Sequence, residues 1–162
     1  MTEVEDKQPI APAQLYVAPP DYHLLVEAGH FSLSTEEPVR FSRPSIDVTF
    51  ESAAETFGAR TVGVVLTGAN EDGARGLKRI VEAGGYAIVQ DPATAEMPIM
   101  PEAALRLVPE ARRVPLDAIG PHLLALSEGR PAGVAAHGAA PGASSAAAHA
   151  ARAARGEAGG LA

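Results

Sequence analysis

Two short, unbroken apolar runs organise the chain, "TVGVVLTG" from Thr61 and "YAIVQD" from Tyr86. Runs of this length without polar alternation read as parallel strands covered on both faces. Between them Leu77, Ile80 and Val81 recur at helical spacing, and Gly84-Gly85 closes the pattern. Two buried strands joined by one helix make a parallel pair with a right-handed crossover. The segment from Thr61 to Asp91 therefore predicts an α/β fold, a doubly wound (Rossmann-like), mostly parallel sheet.

The flanking patterns add smaller pieces. "LYVAPP" is a short strand stopped by two prolines. "HLLVEAGHFSLS" predicts an antiparallel hairpin turning at Ala28-Gly29. In "SIDVTFESAAETFG", Ile46, Phe50, Ala53, Ala54 and Phe57 share one helical face, with Ser45 as N-cap, Asp47 in the first turn and Gly58 as the stop. "PEAALRL" and "PHLLAL" predict short helices with Pro101 and Pro121 at their first positions. Residues 1–14 read as a lead-in and 15–127 as the folded part. Residues 128–162 are mostly Ala and Gly, with too few large apolar side chains to offset ordering entropy, and read as a disordered tail.

Composition narrows the chemistry. A length of 162 residues favours one domain. A net charge of -7 with no basic stripe argues against a nucleic-acid partner. The absence of cysteine removes disulfides, thiolate zinc sites and a cysteine nucleophile together. No apolar run approaches the roughly 20 residues that span a bilayer, so no membrane insertion is expected. The acidic start lacks the apolar core of a secretory signal, which points to the cytoplasm. Neither a dinucleotide fingerprint nor a P-loop is present, and no His pair has metal-site spacing, so no cofactor or metal is expected.

Asp72 is the candidate that matters. The loop "TGANEDG" lies at the carboxyl end of a predicted parallel strand, where ligands of open sheets gather. A carboxylate at a helix mouth is stabilised by bare backbone N–H groups and the dipole. It is then suited to orient an imidazole and to stabilise the cation formed in acyl transfer. An Asp-Gly pair at a helix start is also a common cap and turn, and from local physics alone that reading suffices.

Five stretches in this order resemble one family: "LYVAPPDYHLLVE", "PSIDVTFESAAETFG", "VGVVLTGANEDGARGLKRIVEAGG", "AIVQDPATAEMPIMPEAAL" and "VPLDAIGPHLLAL". They are similar to the C-terminal part of the CheB-type protein-glutamate methylesterase domain of bacterial chemotaxis, over about Pro9 to Leu126. The pair "LTG-x-x-x-DG" and "QD-x-x-T…MP-x-A" is more specific than either half. The resemblance implies hydrolysis of glutamyl methyl esters on chemoreceptor cytoplasmic helices, deamidation of certain receptor glutamines, and a Ser-His-Asp set whose Asp is Asp72.

The resemblance also implies a nucleophilic serine and a histidine ahead of the "LYVAP" strand, and this sequence has no counterpart to either. Ser144 in "GASSA" has no strand before it and reads as a chance match. His23 reads as a structural or rim residue, His30 as solvated beside the hairpin turn, and His122 as a helix-surface residue; His137 and His149 fall in the tail. Ala69-Asn70 replace the Met-Gly common in the family. The expectation is a chain with negligible esterase activity by itself and an exposed sheet edge that favours self-association. The alternative is a non-catalytic receptor-binding adaptor or gene remnant, with the hairpin and Pro98-Ile99-Met100 as its contact surface.

Overall fold

The computed structural model of the protein describes residues 1–129. Strand β1 is Thr2–Glu3, β2 Tyr16–Val17, β3 His23–Glu27, β4 His30–Ser34, β5 Val62–Val65, β6 Tyr86–Gln90 and β7 Arg112–Val114. Helix α1 is Ile46–Phe57, α2 Ala74–Glu82, α3 Ile99–Leu107 and α4 Leu116–Ser127. Strands β5, β6 and β7 form a parallel sheet in that order, with Val62 opposite Tyr86, Val65 opposite Val89, and Gln90 opposite Val114.

The expected strand–helix–strand unit is present, and helices lie on both faces of the sheet. Alternate side chains of the strands divide between two cores. Val65, Ala87 and Val89 pack with Leu77, Ala103 and Ala104 of α2 and α3. Val64, Ile88 and Val114 pack on the opposite face with Ile119, Leu123 and Leu126 of α4. This division explains the unbroken apolar runs, since neither face of the sheet could carry polar residues.

The hairpin β3–β4 forms its own antiparallel sheet, with Val26 opposite Phe31. Helix α1 seals its outer edge through a row of hydroxyls. Thr49 and Thr56 donate to the carbonyls of Leu24 and Val26 at 2.8 Å, and the Ser52 oxygen accepts the Val26 N–H at 3.0 Å. The opposite face of α1 meets α2 closely. A Cβ at Gly76 would lie 2.6 Å from Phe50 Cβ and 2.9 Å from the Asp47 carbonyl oxygen, so only glycine permits this approach.

Three details differ from the sequence reading. The start, read as a lead-in, contributes β1, which pairs in parallel with β2, and buries Val4 against Leu24, Val26 and Phe31. A single exposed-looking strand start gives no signal for a pairing that is completed fourteen residues later. Neither proline opens its helix: Pro101 is the third residue of α3, which begins at Ile99, and Pro121 lies inside α4, which begins at Leu116; the apolar packing of Ile119, Leu123 and Leu126 carries α4 through it. Strand β7 is too short, at three residues, to leave a periodic signal. The tail reading concerns residues that, after Gly129, lie outside the described ones. Among the described residues no helix is long and apolar enough to cross a membrane.

Candidate active site

Asp72 stands beyond the carboxyl end of β5, one residue before Gly73, which turns with φ +89° into α2. Its side chain is only 3% exposed and is held by four donors. Oδ1 accepts from the Ser45 hydroxyl at 2.8 Å, the Asp47 N–H at 3.0 Å and the Gly73 N–H at 3.0 Å. Oδ2 accepts only the Ile46 N–H, at 2.7 Å. Asp72 is therefore a cap, but of α1 rather than of the helix that follows it in sequence.

That arrangement changes the part expected of Ser45. Its backbone is the N-cap of α1, yet its hydroxyl makes no cap bond and donates to Asp72 instead. A carboxylate brings charge and two acceptor oxygens to a site of bare N–H groups, which a hydroxyl cannot match. Asp47, in the first turn of α1, in turn reaches α2. Its Oδ1 accepts the Gly76 N–H at 2.8 Å and its Oδ2 the Arg75 Nε–H at 3.0 Å. The exchange depends on a tertiary contact. The small residue at Gly76 and an acid near each helix start, Asp47 inside α1 and Asp72 just ahead of α2, are its only traces in the sequence.

The two motifs that are specific as a pair also meet in space. Gly68 donates its N–H to the Met97 carbonyl at 2.9 Å, and Met100 donates to the Gly68 carbonyl at 3.1 Å. The Thr67 hydroxyl oxygen accepts the Met97 N–H at 2.8 Å. Buried Gln90 accepts the Thr67 N–H at 2.8 Å and donates to the Thr94 carbonyl at 2.8 Å. The loops after β5 and β6 are thus fastened side by side at one rim of the sheet. Met97 of the second loop and Ile99 at the start of α3 are half-exposed, whereas Met100, expected on a contact surface, is buried in the core.

The histidines separate clearly. His23 is 1% exposed, with Nε2 3.1 Å from the Glu37 carbonyl and Nδ1 3.2 Å from the Ser45 N–H. A carbonyl only accepts and an amide N–H only donates, so the ring carries its proton on Nε2. His23, Ser45 and Asp72 are adjacent, yet the serine hydroxyl donates to the carboxylate and the imidazole bonds the serine through its backbone N–H, not its hydroxyl. This is a structural polar cluster rather than a nucleophile with its base. His30 is not simply solvated: it is partly buried and 3.1 Å from Glu27. The Glu27 carboxyl is held below its usual value by the Ser32 hydroxyl bond, then by the Lys7 and His30 charges, against some desolvation. His122 is half-buried, with Nε2 3.3 Å from the Tyr86 hydroxyl, and burial pushes the Tyr86 phenol up. Ser144, His137 and His149 lie outside the described residues.

Beside Asp72, Glu71 points outward between two guanidinium groups, 3.2 Å from Arg40 Nη1 and 3.3 Å from Arg106 Nη2.

Comparison with known proteins agrees with this architecture. The family model for CheB methylesterase matches residues 1–123. A Leptospira interrogans protein named for protein-glutamate methylesterase and protein-glutamine glutaminase activity is 57% identical over 104 residues, covering 64% of this chain and 54% of that protein. The protein-glutamate methylesterase FrzG of Myxococcus xanthus is 42% identical over 123 residues, covering 75% of this chain and 37% of its own length. The crystal structure of the Thermotoga maritima CheB methylesterase catalytic domain superposes with a TM-score of 0.73 at 31% identity, over 76% of this chain and 68% of that one. The chain spans about half the length of the Leptospira relative, 54%, and less of FrzG. With matching fold, paired motif loops and relatives of this likeness, the chain belongs to the CheB methylesterase family.

Proposed function

We propose that this chain is the part of a protein-glutamate methylesterase domain that supplies the Asp of a Ser-His-Asp set, acting on glutamyl methyl esters of cytoplasmic chemoreceptor helices. The observation that carries the reading is the unequal loading of the Asp72 carboxylate. Oδ1 has three donors, while Oδ2 has one and keeps an unused lone pair for a second. An imidazole N–H docking on Oδ2 would be held in one tautomer and stabilised as a cation while it takes the proton of a serine nucleophile. The donors on Oδ1 fix the carboxylate plane in advance, so no reorganisation is needed when that charge forms.

No serine and histidine among the described residues stand in triad order with Asp72, so the chain by itself is inactive in this reading. Loss of the nucleophile in a comparable system lowers turnover by about 10⁶. The test is methanol release from methylated receptor, first by the chain alone and then with a polypeptide covering the remainder of its relatives' length. No release alone and release with the companion supports the assignment, provided an Asp72→Asn chain of verified fold fails to restore it. Methanol release by the chain alone at an enzymatic rate overturns it.

A second reading, a receptor-binding adaptor without chemistry, draws on the half-exposed Met97 and Ile99, which give the rim an adaptable apolar surface. Receptor binding with no turnover in any reconstitution favours it.

A further inference from the structure

We propose that the cleft between α2 and α3 is a docking site for an acidic helical segment of a protein partner. Its floor is apolar and small: Ala74 and Ala103 are buried there, and the half-exposed Leu107 forms one wall. Its rim is basic, built by Arg40, Arg75, Lys78 and Arg106, all between 40% and 65% exposed at the side chain. Against these four cations stands one lining carboxylate, Glu71.

The cations are only partly matched. Arg75 uses Nε on Asp47 and Arg106 uses Nη2 on Glu71. The other guanidinium nitrogens of both have no hydrogen-bond partner among the described residues. Lys78 approaches Glu82 no closer than 3.8 Å. Glu71 itself shows what the rim selects: a side-chain carboxylate between two guanidiniums, 3.2 and 3.3 Å away. A partner's glutamates find the same geometry there, in charge-assisted pairs with unused donors.

The turn carrying Arg40, which lines the cleft, also presents an exposed aromatic residue. Arg40 and Phe41 both have positive φ, 49° and 68°, within a tight turn closed by two bonds between Val39 and Ser42. Neither is a residue that adopts this conformation readily, and the turn leaves Phe41 fully exposed at 103%. A basic rim over an alanine floor suits an amphipathic peptide, with methylenes below and carboxylates above. It suits nucleic acid poorly, because a chain of net charge -7 repels an extended polyanion. The binding itself does not depend on the esterase reading; only the identification of the partner as a chemoreceptor helix rests on it.

The experiment titrates the full chain into a fluorescent Ala-based helical peptide bearing glutamates at i, i+4 spacing and reads anisotropy. The probe carries no ester, so its result is independent of esterase activity. The peptide's Gln counterpart is expected to bind at least about tenfold more weakly. The double variant Lys78→Glu/Arg106→Glu is expected to lose about tenfold, while Arg112→Glu/Arg113→Glu, the same charge change on β7, retains the affinity. Glu71→Ala frees Arg40 and Arg106 and is expected to tighten binding. Melting curves check that each variant is folded. The proposal is overturned if the chain does not bind, if the Gln peptide binds equally, if both double variants lose alike, if Glu71→Ala weakens binding, or if a short single-stranded DNA binds more tightly than the peptide.

Discussion

Asp47 and Asp72 each cap the helix that the other introduces. Asp72, immediately ahead of α2, accepts the N–H groups of Ile46 and Asp47 at the start of α1, at 2.7 and 3.0 Å. Asp47 accepts the Gly76 N–H in the first turn of α2, at 2.8 Å. Two helix N-termini with bare N–H groups and like partial charges would repel at this separation. Each receives the carboxylate it needs from the other, and the loop carrying Asp72 is fixed as a consequence.

Replacing Asp72 with Ala leaves three amides, those of Ile46, Asp47 and Gly73, and the Ser45 hydroxyl without an acceptor. The expected loss is about 3 kcal/mol of unfolding free energy, read from urea denaturation. Asp47→Ala is expected to cost about 2 kcal/mol, less because Arg75 is half-exposed and can be rehydrated. The double variant should lose less than the sum, by at least about 0.5 kcal/mol, since both carboxylates join the same two helix starts and loss of either lets α1 shift against α2. Strict additivity would show that the two caps act separately.

Gly76→Ala tests the helix contact beneath this exchange. The added Cβ falls against backbone, the Asp47 carbonyl oxygen at 2.9 Å and Asp47 Cα at 3.0 Å, as well as Phe50 Cβ at 2.6 Å. Backbone cannot rotate away, so α1 must move off α2 and both carboxylate bridges lengthen. In an unconstrained helix the same change would stabilise by up to about 1 kcal/mol. Here it is expected to destabilise by about 2 kcal/mol or more, and a rise in melting temperature would refute the close approach.

These contacts mark the boundary of what the chain's pattern could reveal. The sheet and its helices were legible because burial on both faces of β5 and β6 leaves Val64, Val65, Ile88 and Val89 in unbroken runs. Helix α1 was legible because Ile46, Phe50, Ala54 and Phe57 follow a local period. Asp72 was legible as a residue beyond the carboxyl end of β5, but not which helix it caps. An Asp-Gly before a helix has an obvious neighbour to cap, and sequence carries no mark of a helix arriving from 26 residues earlier. The burial of His23 was hidden for the same reason, since its partners are the backbone groups of Glu37 and Ser45, whose side-chain identities do not announce it.

Glu27 gives a pH signature on the hairpin. Its carboxyl is held below its usual 4.5, first by the Ser32 hydroxyl and then by Lys7 and His30. A depressed carboxylate contributes stability that is complete above its unfolded value and is lost as pH falls through its folded value. Wild type should therefore melt above Glu27→Gln at neutral pH, and the two curves should converge as acid protonates Glu27. The wild-type carboxyl resonance should titrate below the ordinary glutamate range. A melting difference that persists unchanged at low pH would assign the effect to packing instead.

Among the described residues, strand β5 ends the sheet on one side. The Tyr86 N–H bonds the Thr61 carbonyl, so Thr61, Gly63 and Val65 turn their backbone groups to β6, and Val62 and Val64 turn theirs outward. Val62 and Leu66 on this edge are 41% and 42% exposed. An uncharged, apolar edge without a bulge or proline is a template for another strand, and a second β5 across a two-fold axis satisfies it. The expected behaviour is concentration-dependent self-association in sedimentation. Val62→Lys places a charge on the edge without entering either core, so it should abolish association and leave the melting temperature nearly unchanged. If the wild-type chain sediments as a single monomer at high concentration, the edge is protected by some feature other than charge, and Val62→Lys should then have no effect on sedimentation.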